Sequence, residues 1–218
     1  MRLTSFSAAG YRSLRSIRLD IGQVSIFVGE NGVGKSNLYR ALQLIKASAL
    51  LEFRPVITFA ANTPSTESKI VDFSALSDTP SATPANASDA LWVTEKVQAQ
   101  FEALDCTQTF RTAGQVDDPT KALVTCDDAS TVKYILGPVE VFGLNISNAF
   151  SGTVTTQTGA STNDWAVNLE FTGAGSDKFA ATTGRLFPLA APQNQFAITL
   201  DGYVITAPTL QAVITGGQ

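Results

Sequence analysis

The chain contains no histidine, two cysteines and one methionine in 218 residues, and only 16% of its residues are charged. Without an imidazole, Ser-His-Asp triads, histidine acid–base catalysis and Cys/His zinc centres are all excluded. Most hydrolase mechanisms go with them. Cys106 and Cys126 would pair in an oxidising compartment, or stand as small buried apolar residues in a reducing one. Long apolar runs are lacking as well. Nothing approaches the roughly 18 to 20 uninterrupted apolar residues of a membrane-spanning helix, and stretches such as Ile26 to Val28 are at most strand-sized. Met1 to Gly10 sets Arg2 beside small polar residues without an apolar core of roughly 7 to 15 residues, so no signal peptide is expected. With 44% apolar residues, the composition is that of a soluble chain.

Charge is scarce but unevenly divided. Residues 1–48 hold seven Lys/Arg against two Asp/Glu, a net +5, whereas residues 49–218 hold eight against seventeen, a net −9. Such a reversal fits two origins, a basic region that meets an anion, or the fluctuation of a short window.

Along residues 1–48 the pattern reads strand, turn, strand, turn, strand, loop, helix. Arg2 to Phe6 and Ser16 to Ile21 carry spaced apolar residues, and Val24 to Val28 is apolar except for Ser25. After a glycine-rich loop, Leu38, Ala41, Leu42 and Ile45 recur at helical spacing on a helix that starts near Lys35. Residues 59–90 are rich in Ser, Thr, Ala, Pro and Asn and poor in large apolar side chains. They bury too little to offset their ordering entropy and are expected to form a disordered linker. The Asn86 to Ser88 sequon is expected to be a chance match. Order is expected to resume near Leu91, where Val93, Val97, Phe101 and Leu104 fall at helical spacing and predict a short amphipathic helix. Strands follow at Lys133 to Leu136 and Val139 to Phe142, across the Gly137-Pro138 break, and at Trp165 to Phe171. A helix over Ser176 to Phe187 would set Phe179, Thr183, Leu186 and Phe187 on one face. Gln195 to Leu200 and Tyr203 to Ala207 are predicted strands joined at Asp201-Gly202, because a tight hairpin turn needs positive φ at both positions.

The sharpest local motif is Gly29-Glu30-Asn31-Gly32-Val33-Gly34-Lys35-Ser36, a complete G-x-x-x-x-G-K-[ST]. Its backbone N–H groups would close around phosphate oxygens at a helix amino terminus, where aligned peptide dipoles favour negative charge. Lys35 would reach the β- and γ-phosphates, and Ser36 would hold Mg²⁺ only when nucleotide is bound. The expected nucleotide-binding set is Gly29, Asn31, Gly32, Val33, Gly34, Lys35 and Ser36. YRSLRSIRLDIGQVSIFVGENGVGKSNLYRAL (Tyr11 to Leu42) resembles the opening of the RecF-, SMC- and ABC-like AAA family ATPases. That resemblance implies ATP chemistry that also needs a Walker B Asp-Glu and a signature segment. Neither follows here. Ala197 to Asp201 imitates a Walker B strand, but Gly202 stands where the Glu should be, and a hairpin turn explains the pair better.

The remainder resembles another family. LEFRPVI (Leu51 to Ile57), YILGPVEVFGLNISNA (Tyr134 to Ala149), WAVNLEFTGAGSDKFAATTGRL (Trp165 to Leu186) and NQFAITLDGYVITAPTLQAVITGG (Asn194 to Gly217) are similar, in order, to blocks of the first extracytoplasmic domain of SecD. The Ser/Thr/Pro-rich insert and paired cysteines resemble the actinobacterial type, which implies a Cys106–Cys126 disulfide. The family assists the Sec translocon, so the resemblance implies the translocon and unfolded secretory polypeptide as partners. No proton-coupling residue carries over to this sequence.

The expectation is therefore α+β, with a ferredoxin-like SecD-type domain preceded by a truncated P-loop fragment. Residues 1–48 would be the P-loop fragment, 49–58 the junction and first SecD-like strand, 59–90 the linker, and 91–218 the SecD-like domain, ending before any membrane helix. The chain is expected to be non-enzymatic, to require no cofactor, to contact no nucleic acid through its larger part, and to touch translocating polypeptide weakly. Two alternatives stand beside this: a fragment that binds Mg-ATP without turnover, and a mis-joined remnant without activity. The SecD-like part implies the extracytoplasmic face and the P-loop part the cytoplasm.

Overall fold

The computed structural model describes residues 5–11, 14–20, 51–64, 72–108, 111, 115–155 and 161–215. The chain divides into two compact units, Met1–Ala49 and Leu50–Gln218. In the first, β1 (Ser5–Tyr11) pairs antiparallel with β2 (Leu14–Asp20), from Ser5↔Asp20 to Tyr11↔Leu14. The first strand thus reaches Tyr11 rather than ending near Phe6. The expected strand over Val24 to Val28 and the helix from Lys35 lie outside the described residues.

The second unit is α+β, as expected. Its frame is β3 (Leu51–Ala61), a strand of 11 residues with an unbroken buried run from Phe53 to Ile57. A strand buried on both faces lacks the in/out alternation of a half-buried one, and here the buried run includes the charged Arg54. β4 (Leu123–Cys126), β5 (Val132–Leu136), β6 (Val141–Phe142), β9 (Phe196–Leu200) and β10 (Tyr203–Thr206) join it in one antiparallel sheet. The order is β10-β9-β3-β5-β4, with β6 also on β3. Pro55 sits inside this central strand, where its missing N–H should cost a ladder bond. It is tolerated because β3 changes partners there, from β6 at Glu52–Phe53 to β5 from Val56 onward. The carbonyl of Pro55 accepts instead from Gly137 N at 2.9 Å.

Two helices cover the sheet. Thr94 caps α1 (Glu95–Ala103) by accepting from Val97 N, and Thr172 caps α2 (Gly173–Leu186) by accepting from Gly175 N. Order resumes near Leu91, as expected, but in a 3₁₀ turn at Ala90–Trp92, so α1 itself begins two residues after Val93, the first of its apolar positions. α2 buries Phe179, Thr182, Thr183 and Leu186, whereas Phe187 lies past its end and is exposed. Between α2 and the sheet, Phe53, Phe171, Phe179 and Phe196 form an aromatic cluster with ring centroids 4.7 to 6.0 Å apart. Burying each such side chain is worth roughly 1.5 to 3 kcal/mol. Val97 of α1 packs on Ile57 and Ile135. Val56 and Leu136, their neighbours in sequence, meet Leu123, Ala197 and Val204 on the other side.

The expected strand at Val139 to Phe142 is only two residues long and leads into a 3₁₀ turn at Gly143–Asn145. β7 (Ile146–Thr155) and β8 (Ser161–Phe171) follow as a separate two-stranded ribbon.

The Ser/Thr/Pro-rich stretch over 59–90 is more firmly fastened than its composition suggests. Phe59 to Ala61 continue β3 against Val132 to Tyr134. Residues 72–90 have little regular structure, yet Lys121 Nζ donates to Asp78 at 2.6 Å, and the Arg185 guanidinium donates to Ser88 and to Asn86. Gly137 passes so close to this stretch that a Cβ there would lie 1.8 Å from Ala87 O. Polar ties thus replace the missing apolar burial. Residues 65–71 lie outside the described residues.

Candidate functional site

A sheet edge is a row of backbone donors and acceptors seeking partners, so each edge of this unit is either closed or available. The curled sheet closes its own. β10 and β4 stand at opposite ends of the strand order, yet Asp127 just past β4 forms a parallel bridge with Val204 of β10. Asp128 N donates to Val204 O at 3.2 Å, and the Thr125 hydroxyl donates to Gly202 O. The turn carrying Gly202 is built for this contact. Asp201 and Gly202 have φ of 52° and 77°, and a Cβ on Gly202 would lie 2.2 Å from the Arg111 guanidinium, which pairs with Asp117 at 2.6 Å. The apparent Walker B strand is therefore β9 followed by a hairpin turn.

Charge and covalent ties fix the same region. Arg54 is fully buried beside Pro55, donating from Nε to Glu52 at 2.9 Å and from Nη1 to the carbonyls of Lys121 and Gly137 at 3.0 Å. It fills the gap where β3 changes partners. Cys106 and Cys126 are joined by a disulfide with Cα atoms 5.8 Å apart, which fastens the segment after α1 to the end of β4. Lys133 Nζ donates to Phe101 O at 2.8 Å at the carboxy-terminal end of α1, where a cation complements the helix dipole. Asp127 accepts from the Thr131 hydroxyl and from the N–H groups of Thr131 and Val132. Burial pushes its carboxyl up, but those donors outweigh it and hold the group below its ordinary 3.8. The Tyr134 phenol is pushed above its ordinary 10.0, first by burial and then by the charge of Asp127.

The ribbon is different. Its register runs from Ile146↔Phe171 to Thr155↔Ser161, and among the described residues no strand lies against the outer edge of either β7 or β8. Ile146, Leu169 and Phe171 anchor its base against the aromatic cluster. Beyond that base the pairing is only two strands wide.

A cavity of about 20 Å³ among Asp78, Trp92, Thr94, Val97 and Lys121 has room for about one water. Among the described residues no group of acidic or cysteine side chains is arranged to hold a metal ion, and no helix is long and apolar enough to cross a membrane. Gly29, Asn31, Gly32, Val33, Gly34, Lys35 and Ser36 all lie outside the described residues. Of the candidate site residues, the structure brings together Cys106 and Cys126. Not foreseen from the sequence are β4, β7 and the closure at Asp127–Val204. Alternation at Trp165 to Phe171 implied a partner for β8, and NISNA was the segment to supply it.

With this geometry in hand, comparison with known proteins separates the two parts. Residues 121–218 match the SecDF P1 head subdomain. The chain is 41% identical over 130 residues to the protein translocase subunit SecD of Streptomyces coelicolor, covering 57% of this chain and 22% of that protein. It is 35% identical over 124 residues to SecD of Mycobacterium tuberculosis, covering 57% of this chain and 20% of that protein. Within the larger unit, residues 121–218 are similar to SecD. Residues 1–108 match the AAA ATPase domain family, so the chain is composite. This second match runs past the unit boundary at Ala49, although residues 51–61 form the central strand of the SecD-like unit. The chain spans about a fifth of the length of the curated relatives it matches. Among solved structures, the super-membrane-facing form of SecDF overlays with a TM-score of 0.36 at 23% identity, covering 98% of this chain and 20% of that one. A second, described as a membrane component SecDF that enhances protein export, gives 0.35 at 24%, covering 93% and 64%.

Proposed function

We propose that the SecD-like unit is a non-catalytic holding module for protein export, which contacts extended, translocating polypeptide at the face of the Sec translocon outside the cytoplasm. The observation that carries this reading is the ribbon with no strand, among the described residues, against its outer edges, set beside a sheet whose edges are tied together. Strand addition suits a client of arbitrary sequence, because the hydrogen bonds come from backbone groups alone. The curated relatives are named for protein translocation, which supplies the kind of client. The Cys106–Cys126 disulfide supports an oxidising compartment. Affinity is expected to be weak, since a single added strand must offset the ordering of a flexible chain. Titrating the full chain with an unfolded secretory polypeptide, and following backbone amide shifts, tests the reading. Shifts confined to residues 141–215 are expected, and none at high client concentration would defeat it.

A second reading rests on a different observation, the intact Gly29 to Ser36 motif within a region matching the AAA ATPase domain family. On this reading the loop binds Mg-ATP through Lys35 and Ser36 and does not turn it over, since phosphoryl transfer needs positioning groups that this sequence lacks. Calorimetry with Mg-ATP should give a binding isotherm that Lys35→Ala abolishes. Steady phosphate release that depends on Lys35 would overturn the claim of no turnover.

A further inference from the structure

In an antiparallel pair, residues alternate between sending both backbone groups to the partner strand and sending both away. Two contacts set the phase of the ribbon. Glu170 O accepts from the Ser147 hydroxyl on β7, so Glu170 faces its partner. Ala149 N is met by Asn148 Oδ1 of its own strand at 3.0 Å, so Ala149 faces away. The register Asn148↔Glu170, Ala149↔Leu169, Phe150↔Asn168, Ser151↔Val167, Gly152↔Ala166 and Thr153↔Trp165 is unbroken. The backbone groups of Trp165, Val167 and Leu169 on β8, and of Ala149, Ser151 and Thr153 on β7, therefore point outward.

Among the described contacts the two outer edges are not equivalent. On β7 the outward N–H of Ala149 is already occupied, and the Asn148 side chain that occupies it is held in place by Asn148 Nδ2 donating to Glu170 at 3.1 Å. A client strand approaching β7 would have to displace this side chain at the well-anchored end of the ribbon, where Leu169 and Phe171 join the core. Resting on the reading that the ribbon adds a client strand, we infer that β8 is the docking edge, with Trp165, Val167 and Leu169 supplying the backbone contacts, and that the occupant is an extended polypeptide segment bearing Lys or Arg. The outward groups recur every second residue, a spacing that an extended chain matches and a helix does not. The charge preference follows from the balance of this unit. Over residues 49–218 there are eight basic against seventeen acidic residues, and Arg54, Arg111, Lys121 and Arg185 are committed to Glu52, Asp117, Asp78 and Glu140.

Residue-resolved amide exchange on the full chain decides among the outcomes, using a soluble peptide of alternating Thr and Val with Lys at both ends. Binding at β8 should slow exchange at Trp165, Val167 and Leu169 by about tenfold or more and leave Ser151 and Thr153 unchanged. Slowing at Ser151 and Thr153 instead would overturn the edge assignment while keeping polypeptide contact. No slowing anywhere in residues 50–218 would overturn both. Val167→Pro removes one outward donor without breaking the ribbon ladder and should weaken the peptide by about tenfold, whereas Ser151→Pro should not. A peptide with Glu at both ends should bind about tenfold less well than the Lys form at low salt, and equal binding would remove the charge preference.

Discussion

The curled sheet and the ribbon use the same antiparallel pairing but end in opposite ways. The sheet brings its outermost strands together at Asp127–Val204 and buries a fully desolvated guanidinium at its centre. The ribbon leaves both outer edges without a strand among the described residues. The difference shows where the unit holds its stability and where it leaves backbone groups for something else. An isolated two-stranded ribbon is marginal in water, so β7–β8 depends on its anchored base.

Three variants should break or sharpen this contrast. The largest effect is expected from Arg54→Ala. It leaves the carbonyls of Lys121 and Gly137 and the Glu52 carboxylate without their partner. Urea unfolding should show a loss of about 4 kcal/mol. The sheet amides should exchange faster, while Trp165 and Val167 near the ribbon tip, already quick to open, should change little. Equal acceleration at both would mean that the two regions are one cooperative element. Next is the Cys106→Ser, Cys126→Ser pair. Their separation of 20 residues predicts a loss of about 3 kcal/mol from loop closure, and an unchanged midpoint would show that the sheet closes without this staple.

The smallest effect concerns Asp127. Its folded value is depressed below 3.8, so its contribution is present above that ordinary value and is lost as pH falls through the lower folded one. Asp127→Asn should cost about 1 kcal/mol at neutral pH. The gap from the unsubstituted chain should narrow below about pH 4. A gap that stays constant with pH would show that the charge of Asp127 has no part in the closure.

Much of the second unit was legible because short-range chemistry fixes it. Asp201-Gly202 specified a turn with positive φ at both positions, and Trp165 to Phe171 showed the alternation of a half-buried strand. Capping explains the errors at helix ends. Thr94 and Thr172 set where α1 and α2 begin, and Thr172 carries α2 back through Gly173 and Gly175, residues with poor helix propensity. Residues 72–90 were misjudged for another reason. Composition reports apolar burial, and this stretch is held by Arg185, Lys121 and the contact at Gly137, each supplied from far along the chain. Closure at Asp127–Val204 was illegible on the same ground. It joins segments that are distant in sequence and carries no local mark.

The long reach of β3 also sets a schedule for folding. Its partner β9 is so remote that the Thr199 hydroxyl contacting Glu52 O lies 147 residues along the chain. Closing so large a loop must precede any gain from the pairing, which makes the central sheet slow to form. During synthesis β3 emerges before all of its partners; β5 and β6 can pair with one flank once residues 132–142 are out, but the flank that takes β9 waits until the last tenth of the chain has emerged. Its buried run from Phe53 to Ile57 lacks its β9 neighbour for all of that interval. The unit thus spends its own early life with its central strand open on one flank, in need of the kind of temporary shelter that its finished ribbon is proposed to give to others.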